Sequence, residues 1–209
     1  MTDIRGAREA AKEETREALL LAGLAEFSER GLDAPSLDAI CARAGYTRGA
    51  FYVHFKDRDE FLVAAMERVL GPFLDAVVAR GEETHDLERT VERFVTTVLG
   101  MMRLATGSEG GALPLHRLLD ACERSGRLRE RFGRILTEAM DRVARSARVG
   151  QKGGAVRADV DARQVGSILV ALALGAIVSL ELGIEVDLEA AGKTVLDLVA
   201  VEPSRRRRV

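Results

Sequence analysis

A narrow apolar stripe that stops abruptly at a glycine constrains the fold of this chain more than any other feature. The stripe consists of Leu37, Ile40, Cys41 and Ala44, at positions i, i+3, i+4 and i+7 of one helical face. Ser36 before the stripe and Thr47 after Gly45 are both good helix N-caps. Because glycine tolerates the positive φ of a tight turn, the pattern predicts two short helices, 36–44 and 47–55, that cross steeply in a helix-turn-helix.

The rest of the chain also has helical periodicity, and no segment alternates apolar and polar residues as a strand would. Four prolines interrupt its 209 residues, of which 47% are hydrophobic and 31% charged. We therefore predict an all-α protein of about nine helices. Their predicted ranges are 13–30, 36–44, 47–55, 57–80, 85–106, 115–124, 128–149, 162–182 and 188–201.

The second short helix is expected to have an inward face and an outward face. Ala50, Phe51 and Phe55 would pack against Ile40 and Leu20. The two phenylalanines belong to a cluster of five of the nine aromatic residues between Tyr46 and Phe61. The outward residues are basic, polar or small, and the second helix of a helix-turn-helix can enter the DNA major groove. Since the net charge of the chain is −2, DNA binding would depend on this local geometry and not on bulk charge.

Arg48 lies in the first turn of the second helix, where its guanidinium could make a forked contact to guanine O6 and N7. Val53 could contact a thymine methyl group. Gly49 costs about 1 kcal/mol relative to alanine in a helix, and its small size would let base edges approach closely. Phosphate contacts would come from Ser36, Tyr52, His54, Lys56 and Arg58.

The stretch SLDAICARAGYTRGAFYVHFKDRDEFL, residues 36–62, resembles the N-terminal module of TetR-type transcriptional regulators. The usual pattern of that module is Thr/Ser…Ile-Ala…Ala-Gly-Val-Ser…Tyr-x-His-Phe-x-x-Lys-x-x-Leu, and the match covers about residues 12–62. The stretch GGAVRADVDARQVGSILVALALGA, residues 153–176, resembles the C-terminal half of the same family. The resemblance implies an all-helical homodimer with a three-helix DNA-binding head, a linking fourth helix and a ligand-responsive body.

The resemblance also assigns roles by position. It implies phosphate contacts at Ser36, Tyr52, His54 and Lys56, and a base-facing surface made of Thr47, Arg48, Gly49, Ala50 and Val53. Arg58 stands where the family often has a lysine. Three positions depart from the pattern: Tyr46 replaces a small aliphatic residue of the turn, Cys41 replaces an alanine, and Asp38 replaces the basic group that some members offer to DNA. We expect Asp38 to exclude phosphate from its vicinity.

We expect three segments with different roles. Residues 1–56 would be the DNA-binding domain, with 1–12 as a loose arm. Residues 57–201 would be the ligand-binding and dimerisation domain, with 57–80 as the linking helix. Residues 202–209 would be a disordered basic tail that contains the arginine run Arg205 to Arg208.

Small residues recur every four positions in the apolar helix 162–182, a spacing that lets another helix approach closely. The predicted dimer interface consists of Ser167, Ala171, Gly175 and Ser179 in this helix and Leu188, Ala191, Val195, Leu198 and Val199 in the last helix. Two helices from each subunit would pack there, and packing within one chain is the alternative. A dimer would place its two recognition helices about 34–36 Å apart, which predicts a near-palindromic operator.

A pocket between the helices of the body is expected to be lined mostly by apolar groups. The candidate ligand-binding residues are Phe94, Val98, Met101, Met102, His116, Leu119 and Phe132, each of which also fits ordinary core packing. The unknown ligand would be apolar or amphipathic. Its binding would favour a body conformation with lower operator affinity, and Pro72 in the linking helix is a candidate for the transmitting element.

Several classes of function are disfavoured. The chain has no P-loop, no GxGxxG, no HExxH and no GxSxG, so we expect no enzyme, no cofactor and no metal site. Cys41 and Cys122 are far apart and are expected to be inert packing thiols. The uncharged run Gln164–Leu180 is shorter than the roughly 20 residues of a membrane span, which favours a buried core helix and a cytoplasmic protein. The alternative to a ligand-released repressor is a helical protein-interaction module without sequence-specific DNA binding.

Overall fold

The computed structural model describes residues 3–32, 34–77, 87–105 and 114–201 of the chain. Within these ranges the backbone forms nine α-helices and no strand, apart from an isolated bridge between Val156 and Ala200. The helices are α1 (Asp3–Arg30), α2 (Leu37–Ala44), α3 (Arg48–His54), α4 (Arg58–Val77), α5 (Leu87–Ala105), α6 (Leu115–Arg124), α7 (Gly126–Lys152), α8 (Ala162–Glu181) and α9 (Leu188–Val199). The predicted all-α fold is confirmed.

The chain divides into two compact units. The first comprises Met1–Pro72 and Arg103–Gly133, and the second comprises Phe73–Met102 and Arg134–Val209. The first unit therefore holds α1, α2, α3 and α6, and the second holds α8 and α9. Helices α4, α5 and α7 contribute residues to both units.

Four phenylalanines form the centre of the first unit. Phe27, Phe51, Phe55 and Phe61 are each at most 1% exposed. The ring centroid of Phe61 lies 4.9 Å from that of Phe55, 5.2 Å from that of Phe51 and 6.0 Å from that of Phe27. Gly23 permits this packing, because a Cβ there would lie 2.3 Å from Cζ of Phe61. Burying each ring stabilises the fold by about 1.5–3 kcal/mol, and the predicted aromatic core is confirmed.

Helix α1 is longer than the sequence pattern predicts. It begins at Asp3, before the predicted start at Glu13, and so includes most of the segment 1–12 predicted to be a loose arm. Residues 6–14 of the helix are exposed, which explains why no apolar periodicity marks them. Gly31, with a φ of 84°, ends the helix as the sequence predicts.

Two apolar clusters stabilise the second unit. The first consists of Val77, Leu87, Val143, Ala147, Val156, Ala162 and Val165, and the second consists of Val95, Val98 and Leu188. Helices α7 and α8 cross closely at Gly166, where a Cβ would lie 2.3 Å from the carbonyl oxygen of Met140. Arg142, which is 3% exposed, forms ion pairs with Asp75 at 2.7 Å and with Glu138. These pairs balance a charge that would be costly to bury alone.

Helix α8 is apolar on all sides but is buried on one side only. Within the described part of the chain, it is the one helix long and apolar enough to cross a membrane, with a mean hydropathy of 1.8. Val165 and Val170 are buried, whereas Ile168 is 57% exposed and Leu172 is 50% exposed. The prediction of a buried core helix therefore holds for one face of α8 only, and large apolar side chains are exposed on its other face.

The predicted linking helix 57–80 corresponds to α4, and residues 78–80 lie outside the described part of the chain. Pro72 lies inside α4, which continues for five residues beyond it to Val77. The predicted basic tail 202–209 also lies outside the described residues.

Candidate DNA-binding site

Two capped helices and a left-handed glycine form the turn at the centre of the site. The Ser36 Oγ accepts a hydrogen bond from the N–H of Ala39 at 3.1 Å, at the start of α2. The Thr47 Oγ1 accepts one from the N–H of Ala50 at 3.3 Å, at the start of α3. Between them, Gly45 has a φ of 76°, and its N–H donates to the last turn of α2. Since side chains disfavour this φ, three local residues define how α2 ends and α3 begins.

Helix α3 separates an exposed face from a buried one. Arg48, Gly49 and Tyr52 are exposed, and Val53 is 67% exposed. Phe51, on the opposite side, is fully buried in the aromatic core. The predicted division of this helix into an inward and an outward face is confirmed. The outward face combines a guanidinium, a phenol, a small apolar group and a residue without a side chain.

Arg48 has two polar neighbours on this face. Its Nε lies 3.5 Å from Oδ1 of Asp38, which is in the first turn of α2. A side-chain hydrogen bond to Tyr52, and then the charge of Asp38, raise the pKa of Arg48 above its ordinary value. The predicted base-reading side chain therefore lies beside a carboxylate and a phenol, and all three groups are solvent-exposed.

His54 is half-buried at the end of α3. Its Nδ1 is buried without a hydrogen-bond partner. Burial, and then the nearby charges of Lys12 and Arg16, lower the pKa of His54 below its ordinary value. His54 is therefore a neutral imidazole at pH 7, and any phosphate contact from it would be a hydrogen bond without a positive charge. Lys56, two residues later, is exposed and can offer a full charge.

Arg58 lies at the first position of α4 and binds backbone. Its Nη1 donates to the carbonyl oxygen of Pro35 at 2.7 Å, and its Nη2 donates to that of Leu32 at 2.5 Å. Both bonds are partly buried and hold the loop between α1 and α2 against the start of α4. Whether Arg58 also contacts a phosphate stays a prediction, but its two terminal nitrogens already have acceptors in the free protein.

Arg43 connects α2 to α1 through two carboxylates. Its guanidinium bonds Glu29 at 2.7 and 2.9 Å and Glu26 at 3.0 Å, and Glu26 is 5% exposed. The hydrogen bond from Arg43 lowers the pKa of Glu29 below its ordinary value. Because the charge of Arg43 is balanced in this way, Arg43 adds little positive charge to the surface available to DNA.

Helix α6 and the start of α7 contact the three-helix head within the first unit. Arg117 Nη1 donates to the carbonyl oxygens of Phe27 and Ser28 in α1, both at 3.1 Å. Arg127 forms an ion pair with Asp57 at 3.0 Å, directly before α4. Local sequence patterns do not reveal these contacts, because the contacts join residues 70 to 90 positions apart.

The predicted ligand-binding residues lie in both units. Val98 is buried in the second unit, and Phe132 is buried in the first. Phe94 is partly buried, His116 is exposed, and Leu119 is 46% exposed; the side chains of Met101 and Met102 lie outside the described residues. The structure thus gives the five described side chains of this set different environments.

The second unit contains an open groove of about 640 Å³ between α5 and α9. Leu87, Val91 and Val95 line it, and Gly192 permits a close approach of α9 to α5, because a Cβ at Gly192 would lie 3.0 Å from Val91. Carboxylates of Glu88, Glu92, Glu189 and Asp197 and the amine of Lys193 also line the groove. Of the predicted ligand-binding residues whose side chains the structure describes, none lines this groove.

The predicted dimer residues occupy α8 and α9 with different exposures. Ala171, Gly175, Ala191 and Leu198 are exposed, whereas Ser167, Ser179, Val195 and Val199 are partly buried. Leu188 is 5% exposed and packs in a cluster of its own chain. Exposed apolar residues that the sequence prediction omits are Ile168, Leu172, Val178, Leu182 and Ile184. The small-residue spacing did not reveal them, because Ile168, Leu172 and Val178 lie between its positions and Leu182 and Ile184 follow its last position.

Cys41 and Cys122 are free, buried thiols, and burial raises the pKa of each. Their predicted role as packing residues agrees with this burial. Among the residues that the structure describes, no group of three or more His, Cys, Asp or Glu side chains is placed to hold a metal ion.

An exposed helix-turn-helix, in a chain whose described residues form nine α-helices, defines the class of helical DNA-binding regulators. Two family models match this chain: bacterial regulatory proteins of the tetR family over residues 19–65, and the tetracyclin repressor-like C-terminal domain over residues 87–192. The protein belongs to the TetR family of DNA-binding transcriptional regulators. This family is a non-enzymatic class, which confirms the expectation that the chain is not an enzyme.

Individual relatives agree with this assignment. The HTH-type transcriptional repressor BepR of Brucella suis biovar 1 (strain 1330) is 26% identical over 165 residues, which cover 78% of each chain. The SmeT–triclosan complex is 30% identical, covers 88% of each chain and superposes with a TM-score of 0.73. The structure of SmeT, the repressor of the Stenotrophomonas maltophilia multidrug efflux pump SmeDEF, is 28% identical with a TM-score of 0.63 and covers 91% of this chain and 94% of that chain.

Proposed function

We propose that this protein is a cytoplasmic, homodimeric repressor that a small apolar or amphipathic ligand releases from a near-palindromic operator. The observation that carries the proposal is the outward face of α3, where Arg48, Gly49 and Val53 are exposed above a fully buried aromatic core. Residues 1–56 would form the DNA-binding domain and residues 57–201 the ligand-binding and dimerisation domain.

The DNA contacts would divide between bases and phosphates. Arg48 would read a guanine, Val53 would contact a thymine methyl group, and Thr47, Gly49 and Ala50 would line the closest approach to the base edges. Phosphate contacts would come from Ser36, Tyr52, His54 and Lys56. The hydroxyl of Ser36 accepts its capping hydrogen bond through oxygen, so its proton can be donated to a phosphate.

The uncovered apolar face of α8 and α9 supports the homodimer. Leu172 is 50% exposed and Leu198 is 69% exposed, and several neighbours on these helices are equally large and apolar. An apolar surface of this kind is unfavourable in water and is typical of a subunit interface. We propose that the interface includes the exposed members of the predicted set together with Ile168, Leu172, Val178 and Leu182.

The ligand of one relative supports the proposed ligand class. One solved structure of SmeT is a complex with triclosan, and SmeT is the repressor of the multidrug efflux pump SmeDEF. We propose a small apolar or amphipathic ligand for this chain, bound among the helices of the body. Contacts such as those of Arg117 with the end of α1 could carry the response to the head.

The proposal is tested first with DNA. Duplexes are selected from a random pool by the full-length protein, and the affinity for the selected site is measured by fluorescence anisotropy across a salt series. We expect a near-palindromic site and release of the DNA by triclosan. The logarithm of the affinity should fall linearly with the logarithm of the salt concentration. Absence of any selected sequence would contradict the proposal and would favour a protein-interaction module.

Dimerisation is tested by light scattering on the full-length protein. Leu198→Glu, on the exposed face of α9, should shift the mass toward that of a monomer and weaken operator binding. Glu189→Gln, an exposed position of the same helix, is the matched control and should leave the mass unchanged. A Leu198→Glu protein that remains a dimer would contradict the proposed interface.

A further inference from the structure

Asp38 occupies a position that is unusual for an acidic residue. It lies in the first turn of α2, and its Oδ1 lies 3.5 Å from Nε of Arg48 on the neighbouring recognition helix. Asp38 and Arg48 have exposed fractions of 68% and 55%, respectively, so the pair lies on the surface proposed to contact DNA. An acidic side chain there opposes phosphate binding and therefore needs another explanation.

The geometry of the pair provides one. The closest approach of the carboxylate is to Nε, and a fork made with the two terminal nitrogens of an arginine leaves Nε available for another acceptor. Arg48 is thus restrained from α2 by the carboxylate of Asp38. A long side chain whose position is restricted before binding loses less rotamer freedom when it binds.

The carboxylate also affects which acceptor Arg48 can reach. An arginine on a DNA-binding surface can bind a backbone phosphate instead of a base edge, and phosphate contacts carry no sequence information. The negative charge of Asp38 repels a phosphate at this point but affects the uncharged edge of guanine much less. Both effects favour the base over the backbone.

We propose that Asp38 is a positioning residue that directs Arg48 to a base edge and so sets the sequence specificity of the recognition helix. The inference rests on the proposed function, because it requires that α3 reads DNA. It extends that function, because an acidic residue that reduces the overall attraction to DNA would determine the sequence selectivity.

The test compares discrimination, not affinity alone. Site selection with Arg48→Ala first shows which guanine pair of the operator depends on Arg48. Discrimination is then the affinity for the operator divided by the affinity for the same operator with that pair replaced. Asp38→Asn, which keeps the size and removes the charge, should lower the ratio by roughly threefold to tenfold, since exposed ion pairs contribute up to about a factor of five and water exclusion strengthens them. Its affinity for the altered site should stay equal or rise.

A double-mutant cycle separates positioning from a structural effect. If Asp38 acts through Arg48, then adding Asp38→Asn to Arg48→Ala should leave the ratio unchanged. Asp38→Glu should retain more discrimination than Asp38→Asn, and Glu14→Gln, an exposed acidic residue of α1, should lower neither ratio nor site preference. Thermal unfolding by circular dichroism identifies any variant whose loss reflects unfolding, because Asp38 is also an acidic residue in the first turn of α2.

Two results would overturn the inference. One is an unchanged ratio in Asp38→Asn, and the other is an equal loss with and without Arg48. These results leave the proposed function intact, because the wild-type protein would still select a sequence. Failure of the wild-type protein to select any sequence would instead contradict the proposed function itself.

Discussion

The sequence and the structure give Arg58 different roles in the three-helix head. By its sequence position, Arg58 is a phosphate contact, whereas in the structure its guanidinium donates to the carbonyl oxygens of Pro35 and Leu32 at 2.7 and 2.5 Å. We predict that Arg58→Ala destabilises the protein and leaves the salt dependence of DNA binding unchanged.

The magnitude follows from the two bonds. Hydrogen bonds to a charged group contribute about 1.5–3 kcal/mol each, and removing one donor group leaves both carbonyls without this partner. Because one side chain makes both bonds, their contributions are not additive, and we expect a total loss of about 3 kcal/mol. For a chain of this size, that loss lowers the Tm by roughly 6–12 °C.

The assay combines thermal unfolding with DNA binding. Lys56→Ala is the matched control, because Lys56 is exposed and carries the same charge two residues earlier. It should change stability by less than about 0.5 kcal/mol and make the salt slope shallower by about one. Arg58→Lys should keep the charge but lose most of the stability that Arg58 contributes, since an ammonium group cannot fork onto two carbonyls.

A different result would refute this reasoning. If Arg58→Ala kept the wild-type Tm and reduced the salt slope as Lys56→Ala does, then Arg58 would be a phosphate contact that leaves its carbonyl partners in the complex.

Three further predictions follow from the first unit. Gly49→Ala should stabilise the free protein by up to about 1 kcal/mol in urea unfolding, because a Cβ there meets no atom closer than 3.5 Å. The same change should weaken operator binding roughly tenfold in fluorescence anisotropy. Gly23→Ala should destabilise by about 1–2 kcal/mol in urea unfolding, because its Cβ would lie 2.3 Å from the ring of Phe61, whereas Gly133→Ala, with nothing within 4 Å, should stabilise. The backbone N–H of Glu60 lowers the pKa of Asp57, so the ionised Asp57 carboxylate stabilises the fold above pH 3.8, and this stabilisation is lost as the pH falls further. On acidification the Tm of Asp57→Asn should therefore fall less than that of the wild-type protein.

The parts of the head that the sequence predicts are those that local residues determine. Ser36 and Thr47 cap their helices, Gly45 ends α2, and Phe51 packs inward because of its place in the helical repeat. Each of these features depends on neighbours within four positions. For this reason the turn, both short helices and the two faces of α3 follow from the sequence alone.

The parts that the sequence does not predict depend on distant partners. Arg43, Arg58 and Arg117 all look like available basic groups in the sequence, but each one binds carboxylates or carbonyls contributed by other helices or loops. A basic residue that faces DNA and one that fixes a loop have the same local pattern. The partner decides the role, and only the folded chain brings the partner close.

Helices α1 and α8 show two other limits of periodicity. The first turns of α1 carry no apolar stripe because they are exposed, so their helical structure leaves no amphipathic signal. Helix α8 is apolar on both sides, so periodicity cannot separate the face that packs within the chain from the face that includes Ile168 and Leu172. Exposure in the folded chain separates the two faces.

The central claim is that α3 reads DNA through Arg48, and the affinity of wild type and Arg48→Ala for the selected operator tests it most directly. We predict that Arg48→Ala weakens binding by about 1–3 kcal/mol and removes the preference for one guanine pair, with no change in Tm beyond that of an exposed substitution. Retention by Arg48→Ala of the same preferred sequence with wild-type affinity would contradict the claim.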